Sequence, residues 1–260
     1  MDLFSAIVLG MIQGITEWLP VSSKAMVSLA GKMFFGLSYQ DALATAVWLH
    51  TGTLLAAIIY FRKDIIALCR SVLDKKSDKS EAIFIIVATI MTGIIGLPLF
   101  IIALNVSIPD WTFTLIMGLL LLCMGILQIN RKSAANAAPN VKNALIVGLA
   151  QGLAAIPGIS RSGSSLAALL GEGFPLDAAF RMSFLMSIPA VLGIEVVLPF
   201  IKGGFLVSPE LIAGSAAAGL VGFFTIGMML DIAKRKDFYK ITLALGVLIT
   251  ALAAGIYLGG

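Results

Sequence analysis

The sequence predicts an all-α polytopic membrane protein built as an inverted repeat of two halves. Each half is expected to be a re-entrant helical hairpin followed by three transmembrane helices. Mean hydropathy is +1.03, and 59% of the 260 residues are apolar while only 12% are charged, which excludes a soluble domain. The chain also contains six long apolar segments and two shorter, broken ones that share a motif. Broken segments at corresponding places in two halves indicate the binding site of a membrane protein.

The six long segments are each about 20 residues, the length that a hydrocarbon core requires. His50 interrupts the first of them and Glu195 the fourth. Gly214, Ala218 and Gly222 are spaced four apart on the fifth, so this helix is expected to pack closely against another helix or a second subunit. The predicted spans are 42–61, 82–104 and 111–130 in the first half and 182–201, 211–230 and 241–260 in the second.

The positions of the basic residues predict the orientation. The net charge is +4, and 13 of the 18 Lys and Arg residues lie in three loops between spans, at 62–81, 131–142 and 231–240. The positive-inside rule places these loops in the cytoplasm and therefore both termini outside. Bases that cluster in juxtamembrane loops also argue against nucleic acid as a partner.

With this orientation the two short segments enter the membrane from opposite faces. The re-entrant hairpins are predicted at about 3–36 and 142–172. They open pseudo-repeats of about 1–130 and 138–260, which together form the single membrane domain 1–260.

Each hairpin carries Gly-x-x-Gln-Gly, an apolar run, a proline, and then serine followed by a base. The two copies, residues 10–24 and 148–163, lie about 137 residues apart. Pro20 and Pro157 are expected to end the first arms, because proline disrupts a helix. Ser22, Ser23 and Ser160 would begin the second arms as N-cap residues.

Two helix N-termini that meet at membrane depth predict a phosphate site. Arg161 offers a planar fork for two phosphate oxygens and Lys24 a point charge. Glu17 could hold a divalent cation, Mg²⁺ or Ca²⁺, with the substrate oxygens, or act as a base. Ser23 or Ser22 could be the nucleophile. The predicted catalytic residues are Glu17, Ser23 and Arg161; the predicted substrate-binding residues are Ser22, Lys24, Ser160, Ser162, Gly163, Gln13 and Gln151.

These motifs resemble those of the undecaprenyl-diphosphatase family, also called the bacitracin-resistance protein family. Residues 13–23 match its first motif, and residues 157–163 match its second motif, P-G-x-S-R-S-G. Residues 49–56 and 181–189 resemble two further family elements. The likeness covers essentially the whole chain.

The resemblance implies a membrane hydrolase that removes the terminal phosphate of a long-chain polyprenyl diphosphate and so recycles a lipid carrier for cell-surface glycan synthesis. It implies divalent-cation dependence, a site open to the outer face, and roles for Glu17 as motif acid, Ser23 as proposed nucleophile and Arg161 as phosphate ligand. The chain departs from the family in two places. Lys24-Ala25-Met26 stands where relatives have T-G-H, so the motif histidine is replaced by Met26, and Gln13 stands where many have glutamate.

Structural interpretations compete with these roles. Glu17 could pair with Lys24 or with Arg161, Lys24 could snorkel to the interface, and Ser23 could be a plain N-cap. His50, the one histidine of the chain, is expected to bond to a neighbouring helix more often than to act as a base.

Two further assignments concern polar side chains on apolar helices. Gln13 and Gln151 are expected to satisfy unwound backbone. Arg181 is expected to be interfacial or paired with Asp177, four residues earlier on the same helix.

Two other functions fit the same pattern. Inverted repeats around an anion site also describe transporters, so a polyprenyl-phosphate flippase is the main alternative. A binding protein without catalysis is the second. The prenyl chain length, the metal and a homodimer stay open at this point.

Overall fold

The computed structural model describes residues 1–19, 22–105, 109–129, 137–156, 159–202, 207–233 and 238–259. The regular structure of these residues is entirely α-helical. Pro20 and Pro157, which were expected to end the first arms, lie outside the described residues. The bases at 131, 132 and 234–236 lie outside them as well.

The described residues form eleven helices. Their bounds are α1 (Leu3–Thr16), α2 (Ser23–Phe35), α3 (Tyr39–Tyr60), α4 (Arg62–Leu73), α5 (Ser80–Asn105), α6 (Asp110–Ile129), α7 (Val141–Leu153), α8 (Arg161–Gly171), α9 (Leu176–Lys202), α10 (Pro209–Ala233) and α11 (Phe238–Gly259).

Six of these helices coincide with the six predicted spans. Over the described residues five of them, α3, α5, α9, α10 and α11, are long and apolar enough to cross a membrane. The sixth, α6, has 20 residues. Helix α9 begins six residues earlier than predicted, at Leu176, because Pro175 precedes it and Asp177 adds an acidic first turn.

The predicted 62–81 loop contains a helix of its own, α4, which the sequence analysis missed. Arg181 of α9 fixes this helix, since its guanidinium donates to Asp64 of α4 at 2.7 Å and to Glu81 of α5 at 2.5 Å. The predicted pairing of Arg181 with Asp177 is therefore wrong. The packing of α4 and α5 against the start of α9 supplies two acids that sequence spacing alone could not indicate.

The motif glycines let the short helices α1 and α7 approach long helices from the other half of the chain. A Cβ atom on Gly10 would lie 2.0 Å from the carbonyl oxygen of Gly214 in α10. A Cβ atom on Gly148 would lie 2.5 Å from that of Ala88 in α5. Close packing of the small residues on α10 is therefore confirmed, and the partners are α1 and α3 of the same chain.

The turn after α1 is anchored in the core. Trp18 is 1% exposed, its ring packs edge-on against Phe184 with centroids 5.1 Å apart, and its indole N–H donates to the Gly222 carbonyl at 3.0 Å. These contacts fix the backbone beside Glu17, whose side chain is the centre of the site described next.

Candidate active site

The carboxylate of Glu17 is the point where both motifs meet. Glu17 is the C-cap residue of α1 and is 4% exposed. Its Oε2 atom accepts from Gln13 Nε2 at 2.7 Å and from Ser23 Oγ at 2.6 Å, and lies 3.2 Å from His50 Nε2. Its Oε1 atom accepts from Arg161 Nη2. One buried acid thus joins α1, α2, α3 and α8.

Ser23 donates its hydroxyl to the acid and does not cap its helix. Ser22 occupies the N-cap position of α2 with extended backbone, and Ser23 is the first helical residue. The interpretation of Ser23 as a plain N-cap is therefore wrong. The Ser22 hydroxyl is buried, makes no capping bond and has no partner among the described residues. A hydroxyl that donates to a carboxylate oriented by further groups is the arrangement of an activated nucleophile.

Arg161 binds Glu17 with one of its two terminal guanidinium nitrogens. Its Nη2 atom pairs with Glu17, while its Nη1 atom is buried and has no hydrogen-bond partner among the described residues. A buried guanidinium nitrogen without a partner is uncommon, since burial makes unmet hydrogen bonds expensive. This nitrogen is free to bind an anionic ligand, as the predicted phosphate role requires.

Lys24 connects the two motifs through the backbone. Its Nζ atom donates to the Ala154 carbonyl, in the turn after α7, at 2.8 Å. The interpretation in which Glu17 pairs with Lys24 is wrong, because the ion pair of the acid is made with Arg161. Lys24 also lines the cavity described below.

The serines around the start of α8 hold the motifs together. Ser160 is the N-cap of α8, as predicted, and its hydroxyl accepts from Gly163 N at 3.1 Å. Ser162 donates to the Leu19 carbonyl of the first motif at 2.7 Å. The Gly163 amide is therefore already bonded within the protein. Substrate contacts by these three residues stay a prediction.

Among the described residues the two motif glutamines bond to side chains. Their role as partners of unwound backbone stays a prediction, because residues 20–21 and 157–158 of the turns lie outside the described residues. Gln13 donates to Glu17, and Gln151 donates to the Thr92 hydroxyl of α5 at 3.1 Å. Both side-chain carbonyl oxygens are buried and have no partner among the described residues. Only Gln151 of the two lines the cavity.

His50 contacts a neighbouring helix, as predicted, but the group that it contacts is the site acid Glu17, so its place in the site was undervalued. Its Nδ1 atom lies 2.6 Å from the Ala46 carbonyl, one turn earlier in α3. Because a carbonyl only accepts, Nδ1 carries a proton and Nε2 faces Glu17. The signal was present in the sequence, since His50 is the one histidine of the chain and lies in residues 49–56, which resemble a family element.

A cavity of about 230 Å³ opens beside these residues. Lys24, His50 and Arg161 lie at its polar end, and most of its wall is apolar or small side chains of α5 and α9. A pocket with cationic groups at one end and apolar walls fits an anionic headgroup that carries a hydrocarbon tail. No cluster of three or more metal-ligating side chains occurs among the described residues.

The comparison with protein families decides what kind of protein carries this site. The family model described as bacitracin resistance protein BacA matches residues 6–248. The chain belongs to this family. The match confirms the resemblance found in the sequence, and together with the apolar helices it makes the chain a multi-pass membrane protein.

Curated proteins that resemble this chain carry the name undecaprenyl-diphosphatase. The protein of Methanococcoides burtonii is 42% identical over 258 residues, which cover 95% of this chain and 97% of the relative. The protein of Methanothrix thermoacetophila is 35% identical and covers 98% of both chains. That of Sulfurisphaera tokodaii is 35% identical and covers 95% of both.

Proposed function

We propose that this protein is an integral membrane phosphatase that hydrolyses undecaprenyl diphosphate, or a similar long-chain polyprenyl diphosphate, to the monophosphate and phosphate. The observation that carries the proposal is the Ser23 hydroxyl bonded to Glu17 at 2.6 Å beside the unpartnered Arg161 nitrogen. The names of the relatives support the same reaction and do not favour the flippase alternative.

The diphosphate would lie at the polar end of the cavity and the prenyl tail along its apolar wall. Arg161 and Lys24 would contact phosphate oxygens, since both residues line the cavity. The wall is formed by residues 89–100 of α5 and 189–197 of α9. With the predicted orientation these are the outward halves of both helices, so the cavity would lie in the outer half of the membrane.

In the proposed reaction the Ser23 oxygen attacks the terminal phosphorus in line with the bridging oxygen. The bond from phosphorus to that oxygen breaks, the lipid monophosphate leaves, and the serine proton passes to Glu17. Water then hydrolyses the phosphoserine and releases phosphate. An incoming phosphate would compete with Glu17 for Arg161 and leave the carboxylate a freer base, while the guanidinium stabilises the developing charge.

Two alternatives of the sequence analysis remain within this proposal. A water molecule held by Glu17 could attack in place of Ser23. A Mg²⁺ or Ca²⁺ ion would be held by Glu17 together with the substrate oxygens, because Mg²⁺ is commonly held by one carboxylate and phosphates. Such an ion would neutralise negative charge on the diphosphate.

The membrane arrangement that we propose is the inverted repeat with two re-entrant hairpins. Helices α1 and α7 have 14 and 13 residues, too few to span a bilayer as helices. Their packing is reciprocal, since α1 lies against α10 and α7 against α5. In this arrangement the basic loops 62–81, 131–142 and 231–240 face the cytoplasm and both termini lie outside.

Phosphate release from undecaprenyl diphosphate by the purified protein with Mg²⁺ tests the proposed function. Glu17→Gln should lower the rate by about a thousandfold, because it removes the base and keeps the shape of the side chain. Glu172→Gln, which changes an acid at the end of α8 outside the site, is the matched control. No release by the native protein, or equal release by the two variants, would contradict the proposal. Lipid transport across vesicles by Glu17→Gln would favour the flippase.

A further inference from the structure

Helix α4 presents an apolar stripe that no described part of the protein covers. It follows α3 directly, and none of its 12 residues is buried. Ile65 and Leu68 pack partly against the core, and Asp64 on the same side bonds to Arg181. These contacts fix the orientation of the helix about its own axis.

The opposite side of α4 is exposed and, beyond Arg62 at the start of the helix, apolar. Ile66, Cys69 and Leu73 are spaced three and four residues apart, so they form one stripe along the helix. Ile66 is 48% exposed, Leu73 is 83% exposed, and Cys69 is also exposed. Because Asp64 and Arg181 hold the inner side, this stripe cannot turn into the core without breaking their ion pair.

Basic side chains flank this stripe on one side. Lys63 and Arg70 are exposed and seven residues apart, which places them together about a quarter turn from the apolar residues. Lys75 and Lys76 follow just beyond the helix and are exposed as well. Apolar residues bordered by bases are typical of helices that lie in the interface of an anionic membrane.

We propose that α4 is an interfacial anchor that binds the anionic lipid surface on the side of the membrane where α3 ends. Ile66, Cys69 and Leu73 would enter the boundary between headgroups and acyl chains, and Lys63 and Arg70 would contact lipid phosphates. The charge of these bases selects an anionic lipid surface as the occupant. The proposal is independent of the phosphatase reaction.

Fluorescence from an environment-sensitive label on Cys69 tests the buried depth of the stripe. The protein carries Cys123→Ser, so that Cys69 is the single cysteine, and is placed in nanodiscs of phosphatidylcholine with one quarter phosphatidylglycerol. The control carries the label on Ala67→Cys in a Cys69→Ser, Cys123→Ser background. Residue 67 is exposed on the other side of the helix. Lipids spin-labelled near the headgroup should quench the label at 69 about threefold more strongly than the label at 67.

The label on Cys69 also tests whether membrane binding by α4 depends on anionic lipid. Quenching at residue 69 should fall by about half in pure phosphatidylcholine or at high salt, and Lys63→Gln with Arg70→Gln should remove this dependence. Phosphate release in detergent should stay unchanged in that variant and reports that the protein is folded. Equal quenching at 67 and 69 would overturn the anchor, and equal quenching in the two lipid mixtures would overturn the anionic preference.

Discussion

The two motif-bearing helix pairs share a backbone design but carry different chemistry. In α1 and α2 the polar side chains are an acid and a hydroxyl, Glu17 and Ser23, bonded to each other. In α7 and α8 the corresponding feature is a cation, Arg161, which crosses to the acid of the first pair. Neither pair holds all of these groups, so the Glu17–Ser23 pair and the Arg161 cation meet only when both helix pairs pack together.

This difference teaches how a repeat can build an asymmetric site. The glycines, which set the approach of helices, are the same in both copies, whereas the residues at the tips have diverged. If the acid and hydroxyl of α1 and α2 carry out the reaction and the cation of α8 binds the anion, the two pairs should respond differently to substitution. Changes in α1 and α2 should remove the chemical step, and changes in α7 and α8 should chiefly weaken the stabilisation of negative charge.

The largest expected effect is that of Ser23→Ala. If Ser23 is the nucleophile, its loss should lower phosphate release by about ten-thousandfold, as for other nucleophilic serines. Ser28→Ala is the matched control, since Ser28 is a buried serine of the same helix whose hydroxyl has no partner among the described residues. Rapid-quench kinetics measures the loss and any phosphoenzyme. A decrease of less than about tenfold would assign the attack to water held by Glu17.

Arg161→Ala is expected to have the next largest effect and tests the second pair. Removal of one ligand of the developing charge should lower kcat/KM by about a thousandfold, and Arg161→Lys should recover only part of it, because lysine lacks the planar fork. Arg181→Ala is the control, as it removes a half-buried arginine ion pair at α4 and α5, away from the cavity. Comparable losses in both arginine variants would mean that Arg161 is structural.

Sequence reasoning succeeded where the signal lies within one segment. Apolar run lengths predicted the six long helices, and the motif spacing predicted both short pairs to within about a residue at their ends. It failed where partners are distant in the chain. Arg181 pairs with two acids about 100 residues away. The prediction chose Asp177 instead, because it lies four residues earlier on the same helix.

The undervaluation of His50 has the same origin. Glu17 and His50 are separated by 33 residues, and only the packing of α1 and α2 against α3 brings their side chains to 3.2 Å. An isolated histidine in an apolar helix carries no period or spacing that points to a partner.

His50→Gln is expected to have a moderate effect. It tests whether His50 of α3 takes part in proton transfer or only orients Glu17. Glutamine can still donate to Glu17 but cannot accept the serine proton, so a purely orienting role should leave about half of the activity. A role in proton transfer should lower kcat about thirtyfold with little change in KM. His50→Ala should be worse in either case, because Glu17 loses a partner. Steady-state kinetics of the two variants separates the roles.

The smallest expected effect is that of Lys24→Met, because Lys24 lies on the first pair yet bonds to the second. Methionine keeps much of the apolar stem while it removes the bond to the Ala154 carbonyl. If Lys24 contacts the diphosphate, KM should rise about fivefold, whereas Lys24→Arg should stay near the native value. If it only joins the two tips, the thermal unfolding temperature should fall with KM unchanged. Either outcome decides whether Lys24 binds the ligand or joins the two helix pairs, because KM and the thermal unfolding temperature measure these two roles separately.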